Sequence, residues 1–86
     1  MAESNVATDL RAALKAVEGL PVPDVERISV LIDAGEWAIA LETLCTQVYE
    51  YDCELTSALR DEMLRLGCEL GVASGYLLGD PWEGPA

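Results

Sequence analysis

The apolar residues between positions 35 and 51 recur at the three- and four-residue spacing of an amphipathic helix, and this pattern constrains the fold more than any other. A helix over 36–51 gathers one apolar face, which consists of Trp37, Ala40, Leu41, Leu44, Val48 and Tyr51. Its opposite face is polar except for Ile39 and Tyr49. The pattern therefore predicts a core-facing helix with two large exposed side chains.

The same spacing predicts three more helices, each with recognisable boundaries. Ser4 is suited to cap the first helix, Gly19 to stop it, and Gly35 to end the second at its C′ position. Thr56 or Ser57 can cap the fourth. The predicted helices span residues 4–18, 24–34, 36–51 and 57–70.

No segment alternates as a β-strand does, so the sequence predicts an all-α, four-helix bundle. At 86 residues, the chain has the length of a single domain over 1–86. After the fourth helix we expect a short turn at 76–78 and a flexible tail at 79–86. Trp82 lies in that tail.

The charge of the chain is strongly negative, at −11, and unevenly placed. Between Arg27 and Arg60 there is no basic residue, while six acids occur there: Asp33, Glu36, Glu42, Glu50, Asp52 and Glu54. A field of this sign repels phosphate backbones and attracts basic surfaces. Nucleic-acid binding is therefore disfavoured, and a basic protein partner is favoured.

The chain offers little for catalysis or metal binding. It has no histidine, and its three cysteines, Cys45, Cys53 and Cys68, form no Cys-x-x-Cys pair. Buried free thiols are expected. Gly71-Val72-Ala73-Ser74 lacks the Asp and Leu of the motif that holds the prosthetic group of acyl carrier proteins. We therefore expect neither an enzyme nor a bound cofactor.

Neither a signal peptide nor an apolar run of membrane-spanning length is evident, so we expect a cytoplasmic protein without membrane association.

A longer string of residues resembles a known family. It runs Gly35-Glu36, Ala40-Leu41-Glu42, Leu44, then Tyr49-Glu50-Tyr51-Asp52, followed by a helix ending in Leu66-Gly67 and Leu70-Gly71. This string resembles the MafI-type immunity proteins of bacterial polymorphic-toxin systems, over about residues 25–72. The resemblance implies a small cytoplasmic protein that binds and neutralises one cognate secreted toxin, commonly a nuclease domain.

The outer side of the third predicted helix is our candidate partner-binding face. It comprises Glu36, Ile39, Glu42, Thr46, Tyr49, Glu50 and Asp52. Two alternatives remain open at this point. Ile39 can instead lie buried if the third helix packs on two sides, and Glu36 and Glu42 can serve as a helix cap and in local ion pairs.

A second function class is a helical interaction module, an adaptor or regulator that self-associates. Its symmetric interface would use Ile39 with Leu64 and Cys68, which lie on a second side of the fourth helix. On that helix the spacing also predicts a core stripe of Leu59, Met63, Leu66 and Leu70, and exposed charge pairs of Arg65 with Asp61 and Glu69.

Overall fold

The computed structural model of the protein describes residues 5–73, and this range forms four α-helices. They are α1 (Val6–Ala16), α2 (Val22–Asp33), α3 (Trp37–Glu50) and α4 (Ser57–Leu70). No strand occurs in the range described, and the all-α, four-helix prediction is confirmed. Ser4, the predicted turn at 76–78 and the tail with Trp82 lie outside the described residues.

The predicted boundaries differ most around the connection between α1 and α2. The first helix ends at Ala16 because Val17 adopts an extended conformation (φ −76°, ψ 124°) and is only 7% exposed. The second helix begins at Val22, two residues earlier than predicted. Pro21 occupies the cap position and Pro23 lies in the first turn, where a missing N–H breaks no helical hydrogen bond.

The other helix ends agree closely with the sequence. Gly35 has φ +80° and follows Ala34, the C-cap residue of α2, so it occupies the predicted C′ position. Thr56 caps α4, because its side-chain oxygen accepts a hydrogen bond of 3.1 Å from the backbone N–H of Leu59. Gly71 ends α4 in the left-handed conformation at φ +73°.

The helices pack so that α1 and α3 each contact the other three. Of the four helices described, α2 and α4 lie apart, without contact with each other. Each helix contributes at least two side chains to one apolar core: Leu10, Ala13, Leu14, Val17, Ile28, Ile32, Ala40, Leu41, Leu44, Cys45, Val48, Met63 and Leu66. Leu59 and Leu70, predicted in the same stripe as Met63, are half-buried at its edge.

Arg65 joins α4 to α1 at the surface. Its guanidinium donates hydrogen bonds to Glu62 (2.5 and 3.1 Å), Glu69 (2.7 Å) and Asp9 (2.8 Å). The Arg65–Glu69 pair was predicted, whereas the second acid on α4 is Glu62 and not Asp61. The hydrogen bond to Arg65 lowers the pKa of Glu62 and raises that of Arg65. Because these groups are largely solvated, the cluster orients α4 against α1 more than it stabilises the fold.

None of the four helices has both the length and the apolar character to cross a membrane.

Candidate protein-binding face

The core residues of α3 determine which of its side chains face outward. Ala40, Leu41, Leu44, Cys45 and Val48 are buried against the other helices. At 100° per residue the opposite side of the cylinder carries positions 39, 42, 46, 49 and 50. We call this side, together with residues 36 and 52 at the two helix ends, the α3 face.

The structure places all seven predicted residues of the α3 face at exposed positions: Glu36, Ile39, Glu42, Thr46, Tyr49, Glu50 and Asp52. Ile39 is 48% exposed and Tyr49 is 65% exposed. The alternative in which Ile39 is buried under α1 or α4 is therefore wrong. Partner binding by these residues stays a prediction.

The start of the face is fixed by the short connection from α2. Glu36 occupies the N-cap position of α3, but its side chain forms no capping hydrogen bond. Its backbone N–H instead donates to the carbonyl of Leu31 (2.9 Å), which closes the end of α2. Trp37, predicted in the core, is half-buried, and its indole N–H donates to the carbonyl of Ile32 at 3.2 Å.

The end of the face is a Schellman motif, a helix end in which one left-handed residue lets the next N–H groups satisfy free carbonyls. The N–H of Asp52 donates to the carbonyl of Tyr49 at 3.2 Å, and that of Cys53 donates to the carbonyl of Val48 at 2.9 Å. Asp52 therefore has φ +52°, a conformation that the rest of the described chain adopts only at glycine.

The charged residues of the α3 face are all acidic: Glu36, Glu42, Glu50 and Asp52. Burial raises the pKa of the Cys45 thiol to about 12, while the charge of Arg60 lowers that pKa and the charge of Glu42 raises it. Arg60 and Glu42 therefore both lie within electrostatic range of Cys45. Glu50 and Asp52 lie two turns further along.

Two other arginines pair with acids that are not part of the α3 face. Arg11 bonds Asp33 at 2.6 Å between α1 and α2, and Arg27 lies 3.8 Å from the carboxylate of Asp24. Arg11 and the Arg65 cluster thus place positive charge on α1 and α4. Arg27, in contrast, lies within electrostatic range of Tyr51 at the end of α3, because its charge lowers the pKa of that residue.

Tyr51 is the clearest error of the sequence analysis. The helical pattern assigned it to the core, but it is 48% exposed. Tyr51 is the C-cap residue of α3, three positions after Val48, the last buried residue of that helix. Its hydroxyl donates a hydrogen bond to Asp24 in the first turn of α2. The charge of Asp24, followed by this hydrogen bond, raises the pKa of Tyr51. Asp24 itself is only 7% exposed, a position at the positive end of α2 that favours a carboxylate.

The cysteines only partly follow their prediction. All three are free thiols, but Cys45 alone is buried, while Cys53 is half-buried and Cys68 is exposed. Burial and the charge of Asp52 raise the pKa of the Cys53 thiol. Within residues 5–73, no three His, Cys, Asp or Glu side chains are grouped to hold a metal ion.

The α3 face presents carboxylate oxygens beside the side chains of Ile39 and Tyr49. The carboxylates can accept hydrogen bonds and form ion pairs with Lys and Arg of a partner, while the two apolar side chains lose water at the centre of the contact.

No protein-family model, curated protein or solved structure matches the chain.

Proposed function

We propose that this protein is an immunity protein that binds one toxin in the cytoplasm and neutralises it through the α3 face. The toxin carries a basic surface, most simply the active-site region of a nuclease. The observation that carries the proposal is the exposure of Ile39 and Tyr49 among the carboxylates of Glu42, Glu50 and Asp52. The sequence resemblance to MafI-type immunity proteins supports the same function.

The two kinds of side chain on the α3 face have separate roles in this proposal. Carboxylates attract a cationic surface at long range and raise the association rate from about 10⁵–10⁶ towards 10⁸–10⁹ M⁻¹s⁻¹ at low salt. Tyr49 and Ile39 lose water only once the partner has docked, so they act mainly on dissociation. Because a nuclease holds phosphates with basic groups, an acidic helix can cover the same groups.

The test is co-expression of the protein with the product of the gene immediately upstream, scored by growth and by binding of the purified pair. Alone, that product should arrest growth, and the parent protein should restore it. Glu42→Lys combined with Glu50→Lys should slow association at least tenfold and abolish protection, while circular dichroism shows unchanged helicity.

A matched control carries the same change of net charge on other helices. Glu26 on α2 and Asp61 on α4 are both exposed and lie outside the α3 face. Glu26→Lys combined with Asp61→Lys should bind and protect nearly as the parent does. If the two double variants behave alike, the α3 face is not the binding site. If the upstream product neither harms cells nor binds, the immunity function is wrong.

A self-associating interaction module remains the second candidate, because large apolar side chains are exposed on another helix as well. On α2, Val22 is 67% exposed and Val30 is 63% exposed. Leu64 of the earlier predicted interface is half-buried and Cys68 is exposed. Sedimentation equilibrium of the purified protein separates the candidates: a stable homodimer that binds no basic partner favours the module, and a monomer excludes it.

A further inference from the structure

A groove of about 330 Å³ is lined by residues from the end of α1 and the start of α4. Its lining includes Glu18, just beyond α1, and Glu54, in the connection between α3 and α4. The remaining lining residues are Ala16, Leu55, Thr56 and Leu59. This volume is near the lower limit for small-ligand sites, and it is large enough to hold one long side chain.

The lining combines an apolar floor with two carboxylates. Leu55 and Leu59 are half-buried, while Glu18 and Glu54 are exposed. The hydroxyl oxygen of Thr56 accepts a hydrogen bond from the backbone N–H of Leu59 and so caps α4. Among residues 5–73, neither Glu18 nor Glu54 has a hydrogen bond or an ion pair with another side chain.

The charged residues that line the groove are Glu18 and Glu54. The C-terminal end of α1 contributes partial negative charge and the N-terminal end of α4 partial positive charge, so these helix-dipole contributions largely cancel. Lys15 and Arg60 are the bases nearest in sequence, and neither side chain lines the groove. A cationic side chain with an aliphatic stem therefore matches both the leucines and the carboxylates of the groove.

We propose that this groove seats an arginine side chain of the partner protein. The aliphatic stem would pack on Leu55 and Leu59, and the planar guanidinium would face Glu18 and Glu54. Arginine fits better than lysine because its planar guanidinium carries five donors and can therefore bond two carboxylates at once. The groove adjoins the α3 face, since Glu54 follows Asp52 by two residues. This subsite rests on the proposed function for the source of the arginine.

The subsite can be tested without a partner by titrating the full-length ¹⁵N-labelled protein with n-butylguanidinium and recording amide chemical shifts. The neutral, nearly isosteric n-butylurea is the matched ligand control. Saturable shifts at the amides of Glu18, Leu55 and Thr56, at millimolar concentrations and absent with n-butylurea, are expected. Glu18→Gln combined with Glu54→Gln should remove them while leaving the rest of the spectrum in place.

Three results would overturn the subsite. These are equal shifts with the urea, shifts spread over all carboxylates of the protein, or shifts that persist in the double variant. Failure here leaves the proposed function intact, because growth protection and the Glu42/Glu50 charge reversal are measured separately. In the toxin complex, the Glu18/Glu54 variant should dissociate at least fivefold faster than the parent, and an unchanged dissociation rate would also refute the subsite.

Discussion

The left-handed conformation of Asp52 leads to a prediction in which stability and binding change in opposite directions. Replacing Asp52 with glycine removes a Cβ from a residue at φ +52° and also removes one carboxylate from the α3 face. We expect Asp52→Gly to unfold at higher denaturant concentration than the parent. If the α3 face binds the proposed partner, the same variant should associate more slowly.

The expected change in the free energy of unfolding has two parts, one from the backbone conformation and one from the charge. A left-handed conformation costs a residue with a Cβ about 1–2 kcal/mol, and glycine gives back about 0.5–1 kcal/mol through its larger freedom in the unfolded chain. The gap between glycine and alanine at this position is therefore about 1 kcal/mol. Aspartate lies between them, because its short polar side chain tolerates this region. Removing a negative charge near the C-terminal end of α3 adds about 0.3–1 kcal/mol to both variants.

Alanine is the appropriate control because Asp52→Ala loses the same charge without relieving the backbone. Urea unfolding followed by circular dichroism should place Asp52→Gly about 1 kcal/mol above Asp52→Ala, or about 4–8 °C higher in Tm for a domain of this size. Equal stability of the two variants would show that the left-handed Asp52 does not hold the end of α3. The Asp52→Asn variant, which keeps left-handed tolerance, measures the charge effect alone.

Three further outcomes follow from buried and paired groups. Leu41→Ala should cost about 2–5 kcal/mol in urea unfolding, because Leu41 is fully buried where α3 meets the other helices. The raised pKa of Tyr51 means that its neutral hydroxyl, bonded to Asp24, stabilises the fold below the unfolded-state pKa of about 10. That contribution is lost as pH rises from about 10 through the higher folded-state pKa, so the midpoint of urea unfolding for the parent, relative to Tyr51→Phe, should fall as pH rises above about 10. A thiol reagent at pH 8, read by mass spectrometry, should label exposed Cys68 rapidly and Cys45 only after unfolding, since burial raises the pKa of Cys45 to about 12.

The helices themselves were predictable because their signals are local. The spacing of Leu41, Leu44 and Val48 fixes which side of α3 is buried, whatever that side packs against. Gly35 and Thr56 mark helix ends through backbone conformation and capping, which involve only residues nearby in the chain. The outward position of Ile39 and Tyr49 followed from the same periodicity.

The apolar periodicity did not predict burial and contacts correctly at the ends of the helices. Tyr51 has the angular position of a core residue, but it follows the last buried residue of α3, Val48, as the C-cap, and its partner Asp24 is distant in sequence. The groove between Glu18 and Glu54 likewise requires the end of α1 to approach the start of α4. The sequence by itself determined four helices and an acidic, aromatic outer side of α3. Only the tertiary structure decided which helix ends meet, because that depends on the packing of distant segments and not on the order of neighbouring residues.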